Sequence, residues 1–129
     1  QPDALEVAAR ENAVSDQSIH QLSDLVKKIP LKDQIDESRE FAADVQQRLY
    51  SGLHNGNPGL KNRGVKKAPF VVLIGAAMPS VLAEIGFLTN SAEEALLRKP
   101  EHRQKIAEAL YKGIAAYADT LSRIDVAKK

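Results

Sequence analysis

Two short apolar runs, PFVVLIG (69–75) and SVLAEIG (80–86), limit what this chain can become. Both are rich in β-branched residues and bounded by Gly or Pro, so both are predicted as strands. Their apolar residues do not alternate with polar ones, the pattern of strands covered on both faces in a layered α/β sheet. Everything around them reads as helix. Asp3 to Asn12 puts Leu5, Ala8 and Ala9 on one side, and Ile19, Leu22, Val26 and Ile29 follow helical spacing behind a cap at Ser15 or Asp16 and end at Pro30. A longer helix is expected from about Asp33 to Leu53, with Phe41, Val45 and Leu49 four apart and Ala42 beside them. After the loop HNGNPG (54–59), SAEE (91–94) fits a capping box opening a helix through Leu97. A last helix follows Pro100, with Ile106, Leu110, Ile114, Tyr117 and Leu121 as its inner stripe and DVAKK as a frayed tail. Two strands among five helices make a poor sheet, and an isolated pair is marginal in water. The runs look made for a larger sheet whose other strands are not in this chain.

The second run also carries a charge. Glu84 stands among Val81, Leu82, Ala83, Ile85 and Phe87, and a buried ionised carboxylate is costly unless paired, hydrogen-bonded or near a metal. Strand alternation puts it on the face of Leu82 and Gly86, near the carboxyl end, where open α/β sheets hold their ligands. One reading is a catalytic or metal-associated carboxylate; the other is a structural ion pair with a basic residue of a neighbouring helix. The pattern alone leaves both open.

The totals exclude several classes. The 129 residues suffice for one domain, and 43% hydrophobic with 27% charged residues is ordinary for a globular protein. A net charge of +1 gives no broad field for nucleic acid or membrane, and the absence of cysteine removes disulfides, thiolate zinc sites and a thiol nucleophile. The longest uncharged run, Ala68 to Ala83, is short for a membrane span and is interrupted by Gly75 and Pro79, so no transmembrane segment is expected. The start, QPDALEVAARENA, has neither the basic nor the apolar region of a secretory signal, and it lies without methionine inside a helical pattern. A processed product or a piece of a longer protein is the expectation.

KNRGVKKAP (61–69) gathers Lys61, Arg63, Lys66 and Lys67 around a glycine. Such a loop can grip a carboxylate-bearing substrate, with Arg63 able to bind bidentately, or it is simply a solvated loop. No aromatic residues are interleaved for stacking on bases. His20, His54 and His102 are far apart in sequence and are expected at the surface, two on polar helix faces and His54 in a loop. No P-loop, dinucleotide fingerprint or G-x-S-x-G elbow is present.

The stretch NRGVKKAPFVVLIGAAMPSVLAEIGFLTNSAEEALL resembles the zinc-dependent N-acetylmuramoyl-L-alanine amidases of the type-3 family. The likeness combines N-R-G-V, a short strand, a Met-Pro turn, an E-I-G-F-L-T-N strand end and a capping-box helix. ARENA, SREFAADVQQRL and HRQKIAEALYKGIAAY extend it to nearly the whole chain. The resemblance implies a three-layer α/β/α domain around a mainly parallel sheet, of which residues 1–129 supply about two strands and the C-terminal helices. It also implies a peptidoglycan hydrolase, periplasmic or extracytoplasmic, that cuts the amide between N-acetylmuramic acid and the L-alanine of the stem peptide. An activating protein partner is compatible with it.

In that family zinc is held by two histidines and a glutamate, and a further glutamate at the E-I-G-F strand end assists catalysis. That last position matches Glu84, whose carboxylate would then face zinc-activated water rather than a core. The Asn62-Arg63-Gly64 loop would border the cleft, with Arg63 holding substrate carboxylates. The family's D-P-G-H-G-type and S-x-H histidines and its zinc glutamate are not in these residues, and His20, His54 and His102 do not occupy their positions. The expectation is therefore the C-terminal part of an amidase catalytic domain, with Zn2+ bound by ligands outside this chain. The rival reading is a non-catalytic helical binding or structural module, or an inactive fragment, in which Glu84 is an ion-paired residue.

Overall fold

The computed structural model describes residues 2–13 and 32–128. They form four helices: α1 (Pro2–Ala13), α2 (Lys32–His54), α3 (Ser91–Leu97) and α4 (Pro100–Lys128). The expected helical segment of Ile19, Leu22, Val26 and Ile29 lies outside the described residues. Helices α1 and α2 lie where helices were expected, and α4 continues to Lys128, into the DVAKK tail that was expected to fray. No helix among the described residues is long and apolar enough to cross a membrane.

The expected α/β architecture is not what forms. No strand is present among the described residues, so the three-layer domain with two strands from this chain is corrected to a helical arrangement with irregular connections. The reason lies in backbone bonding. A strand satisfies its N–H and C=O groups only through a neighbour, and an unsatisfied buried group is expensive. The run 69–75 instead closes turns on itself, with the N–H of Leu73 donating to the Phe70 carbonyl at 3.0 Å and that of Ile74 to the Val71 carbonyl at 3.1 Å. Side chains take over the rest of what a ladder would do. Asn12 at the end of α1 donates from Nδ2 to the Pro69 carbonyl and accepts from the Val71 N–H, both at 2.9 Å. The Ser80 N–H donates to Ser38 Oγ at 3.0 Å.

The chain divides into two compact units, residues 1–39 with 65–82 and residues 40–64 with 83–129. In the first, Ala4 and Ala8 form the buried face of α1, whereas Leu5, expected on that face, is exposed. Lys66 Nζ lies 3.3 Å from the Asp3 carboxylate.

In the second unit, the later part of α2 runs antiparallel to α4. Phe41 stacks on Tyr117 with ring centroids 4.9 Å apart, and a Cβ placed on Gly113 would meet Val45 Cα at 2.7 Å. Val45 and Leu53 are buried opposite Ile106, Ala109 and Tyr117. The inner face of α4 is thus 106, 109, 113 and 117: Ile106 and Tyr117 of the expected stripe are buried, Leu110 is half-buried, and Ile114 and Leu121 are 52% and 40% exposed. Small residues decide this: where Ala109 and Gly113 face α2, the backbones approach more closely than two large side chains would allow.

Helix α3 begins as expected, with a different cap. Asn90, not Ser91, is the N-cap, its side chain accepting from the N–H groups of Ala92 and Glu93. At the other end Arg103 Nη1 donates to the carbonyls of Leu97 and Arg98, both at 2.8 Å, satisfying acceptors that the helix leaves open.

Candidate functional site

The residues singled out in the sequence fall in two segments of the second unit: the loop after α2, with Asn62 and Arg63, and the irregular run 83–90, with Glu84. The run is irregular for the reason given above, so Glu84 does not sit in a strand. Glu84 is exposed, as are Ile85 and Leu88 beside it. The problem of an ionised group in an apolar core therefore does not arise here.

The loop is shaped by Asn62. Its Oδ1 accepts from the Gly64 N–H at 2.9 Å, a side-chain turn of the kind asparagine favours, and Gly64 at φ 73° has the left-handed backbone that glycine adopts without strain. The same oxygen accepts from Gln46 Nε2 of α2 at 2.8 Å. Both lone pairs of Oδ1 are thus committed inside the protein.

Arg63, next in the chain, reaches the other segment: its Cζ stands 5.7 Å from the centroid of the Phe87 ring, within cation–π range. Phe87 is itself held, its N–H donating to Glu93 Oε2 of α3 at 2.7 Å. Arg63 and Glu84 thus belong to segments that meet at Phe87. Lys61, Lys66 and Lys67 are exposed, but Lys66 and Lys67 fall in the first unit, so the cationic cluster is not one patch of one unit.

His54 is the last residue of α2 rather than a loop residue; it is half-buried and stacks on Tyr50 with centroids 4.8 Å apart. His102 is half-buried in α4, and His20 lies outside the described residues. Among the described residues no group of three or more His, Asp or Glu side chains could hold a metal ion.

Sequence reading missed Gln46, Phe87 and Glu93. Glu93 was legible: Asn90 followed three residues later by an acidic residue is an N-terminal helix signature. Nothing marks Gln46 among the polar residues of α2.

The chain is 35% identical over 113 residues to the N-acetylmuramoyl-L-alanine amidase AmiA of Escherichia coli, covering 87% of this chain and 36% of that protein. It is 35% identical over 80 residues to the N-acetylmuramoyl-L-alanine amidase LytC of Bacillus subtilis, covering 62% of this chain and 15% of that one. With the uncharacterized protein YqiI of the same bacterium it shares 43% identity over 84 residues, 65% of this chain and 38% of YqiI. The chain thus spans well under half of each of these relatives. No solved structure matches it. The family model described as N-acetylmuramoyl-L-alanine amidase matches residues 12–116, from the last turn of α1 through the Arg63 loop and the Glu84 segment into α4. On that match, the chain belongs to the type-3 N-acetylmuramoyl-L-alanine amidase family.

Proposed function

We propose that the protein carrying this chain is a cell-wall hydrolase, acting outside the cytoplasm, that cleaves the amide between N-acetylmuramic acid and the L-alanine of the peptidoglycan stem peptide. The observation that carries this reading is the family match over residues 12–116, which takes in Glu84 and the Asn62-Arg63 loop together. The exposure of Glu84 is in keeping with it, because the residue lies at the solvent-facing surface of its segment rather than in a core. In this reading Glu84 takes a proton from the attacking water and delivers it to the nitrogen of L-alanine as the amide carbon–nitrogen bond breaks. Arg63 offers its guanidinium to a carboxylate of the stem peptide, a geometry suited to two parallel N–H···O bonds.

Zinc belongs to the reading as well. No group among the described residues could hold it, the family resemblance implies ligands outside this chain, and no step is derived through the metal.

The test is Glu84→Gln in the full-length protein, assayed on purified peptidoglycan. Loss of the proton acceptor is expected to lower kcat by about 10²- to 10⁴-fold with the circular dichroism spectrum unchanged. Retention of most of the activity would remove Glu84 from the chemistry. The helical architecture of the described residues favours one rival, a non-catalytic helical binding module, for which wild type and Glu84→Gln would both leave peptidoglycan intact.

A further inference from the structure

The geometry points to Gln46, Asn62 and Glu93 as positioning residues that brace the Arg63 loop and the Glu84 segment against each other. Four contacts make the brace. Gln46 Nε2 on α2 donates to Asn62 Oδ1 at 2.8 Å, and that oxygen also accepts from the Gly64 N–H at 2.9 Å, so both flanks of Arg63 are tied to a helix. The Arg63 guanidinium then lies over the Phe87 ring, 5.7 Å from its centroid. Phe87 is fixed in turn by its N–H bond to Glu93 Oε2 at 2.7 Å, which anchors to α3 the run that carries Glu84 three residues earlier.

This changes what the Asn62 oxygen does. With both lone pairs taken by Gln46 and Gly64, it shapes the loop that places Arg63 rather than accepting from a ligand. The guanidinium N–H groups make no hydrogen bond to the described residues, and a cation stacked on a ring keeps its in-plane donors open for a carboxylate. The ligand chemistry is therefore an acidic peptide presented in register with Glu84. That role for Arg63 rests on the amidase reading above; the brace rests on the contacts alone.

Two readouts on the full-length protein separate these layers. The first needs no amidase activity: the initial rate of tryptic cleavage at the Arg63–Gly64 bond. Gln46→Leu is expected to raise it about fivefold or more, because local opening controls access to the bond. The second is steady-state hydrolysis of a soluble muropeptide with free stem-peptide carboxylates. Gln46→Leu is expected to raise KM about tenfold with kcat within twofold, the pattern of a lost binding geometry. Glu93→Leu is expected to lower kcat as well, since it releases the run bearing Glu84. Glu93→Gln, which keeps an accepting oxygen, is expected to restore it.

Unchanged cleavage in Gln46→Leu would overturn the brace. Faster cleavage with unchanged KM would overturn the positioning role, leaving a contact that serves only the loop. A wild-type protein that hydrolyses no muropeptide would sink the amidase reading and the role of Arg63 with it, while the cleavage rates still decide the brace.

Discussion

The paired parts of α2 and α4 and the connecting run 65–88 are both apolar in sequence, and they fold to opposite outcomes. In the helical pair Val45, Leu53, Ile106, Ala109 and Tyr117 are buried. In the connecting run Val72, Met78, Ile85 and Leu88 are exposed. The difference is one of self-sufficiency. A helix closes its backbone hydrogen bonds within its own segment, so it needs one partner for one stripe. A strand covered on both faces needs a neighbour for its backbone and a layer on each side. The chain supplies the first kind of partner and, among the described residues, not the second.

The contrast is most exposed to failure in a pair of truncations. Ile106 is 4% exposed and Leu88 is 74% exposed. Ile106→Ala should cost about 2–5 kcal/mol through lost burial and the cavity left behind. Leu88→Ser should stay within about 0.5 kcal/mol, as exposed substitutions do. Urea unfolding of the full-length protein measures both. A loss above about 2 kcal/mol at Leu88 would mean that the run is buried in the working protein, and the comparison would break.

The helical pair can be probed more finely at its glycines. A Cβ on Gly113 would stand 2.7 Å from Val45 Cα and 3.2 Å from Val45 N, backbone atoms with little room to retreat. Gly113→Ala should therefore destabilise by about 1–2 kcal/mol, the overpacking cost less the gain in helix propensity. At Gly52 the nearest atom is Ala109 Cβ at 3.4 Å, close to ordinary contact. Gly52→Ala should be neutral or stabilising by up to about 1 kcal/mol. Equal thermal shifts for the two variants would deny that the helices approach closely at Gly113.

Much of this was legible in the sequence, and the failures share a cause. The bounds of α1, α2 and α3 follow from periodicity and from Pro and Gly punctuation, because those are local signals. The stripe of α4 was misassigned at Ile114 and Leu121 because hydrophobicity ranks large residues first, whereas the crossing with α2 selects the small Ala109 and Gly113. The strands failed for a non-local reason: β-branched residues describe a surface that fits a sheet, and whether a sheet exists depends on partners. Of the candidate site, Glu84, Asn62 and Arg63 were found by motif and lie in one unit. The contacts that hold that loop and run, Gln46 to Asn62 and Glu93 to Phe87, join residues 16 and 6 positions apart and carry no periodic signal.

The start of α3 gives a smaller test of local against non-local control. Asn90→Ala removes the acceptor for the N–H groups of Ala92 and Glu93 and should cost about 1 kcal/mol. Ser91→Ala should change stability by a few tenths, since Ser91 is inside the helix. The reverse order in thermal unfolding would return the cap to Ser91 and the capping box expected from SAEE.

The smallest effect belongs to α1 and to pH. The Asp3 carboxyl is held below the ordinary carboxylate value, chiefly by a hydrogen bond from its own backbone N–H and then by the Lys66 ammonium at 3.3 Å. A group whose folded value is depressed contributes stability above its unfolded value, about 3.9 for Asp, and loses it as pH falls through the folded value. The stability difference between wild type and Asp3→Asn should therefore be constant and slightly positive from neutral pH to about 5 and shrink towards zero in stronger acid. Both partners are solvent-accessible, so salt should trim the Lys66 share within a Debye length of about 3 Å at 1 M. What survives in high salt is the backbone share, which is local to α1. A difference abolished by salt at neutral pH would transfer the whole effect to Lys66, making the hold on α1 depend on a residue of the connecting run rather than on the helix itself.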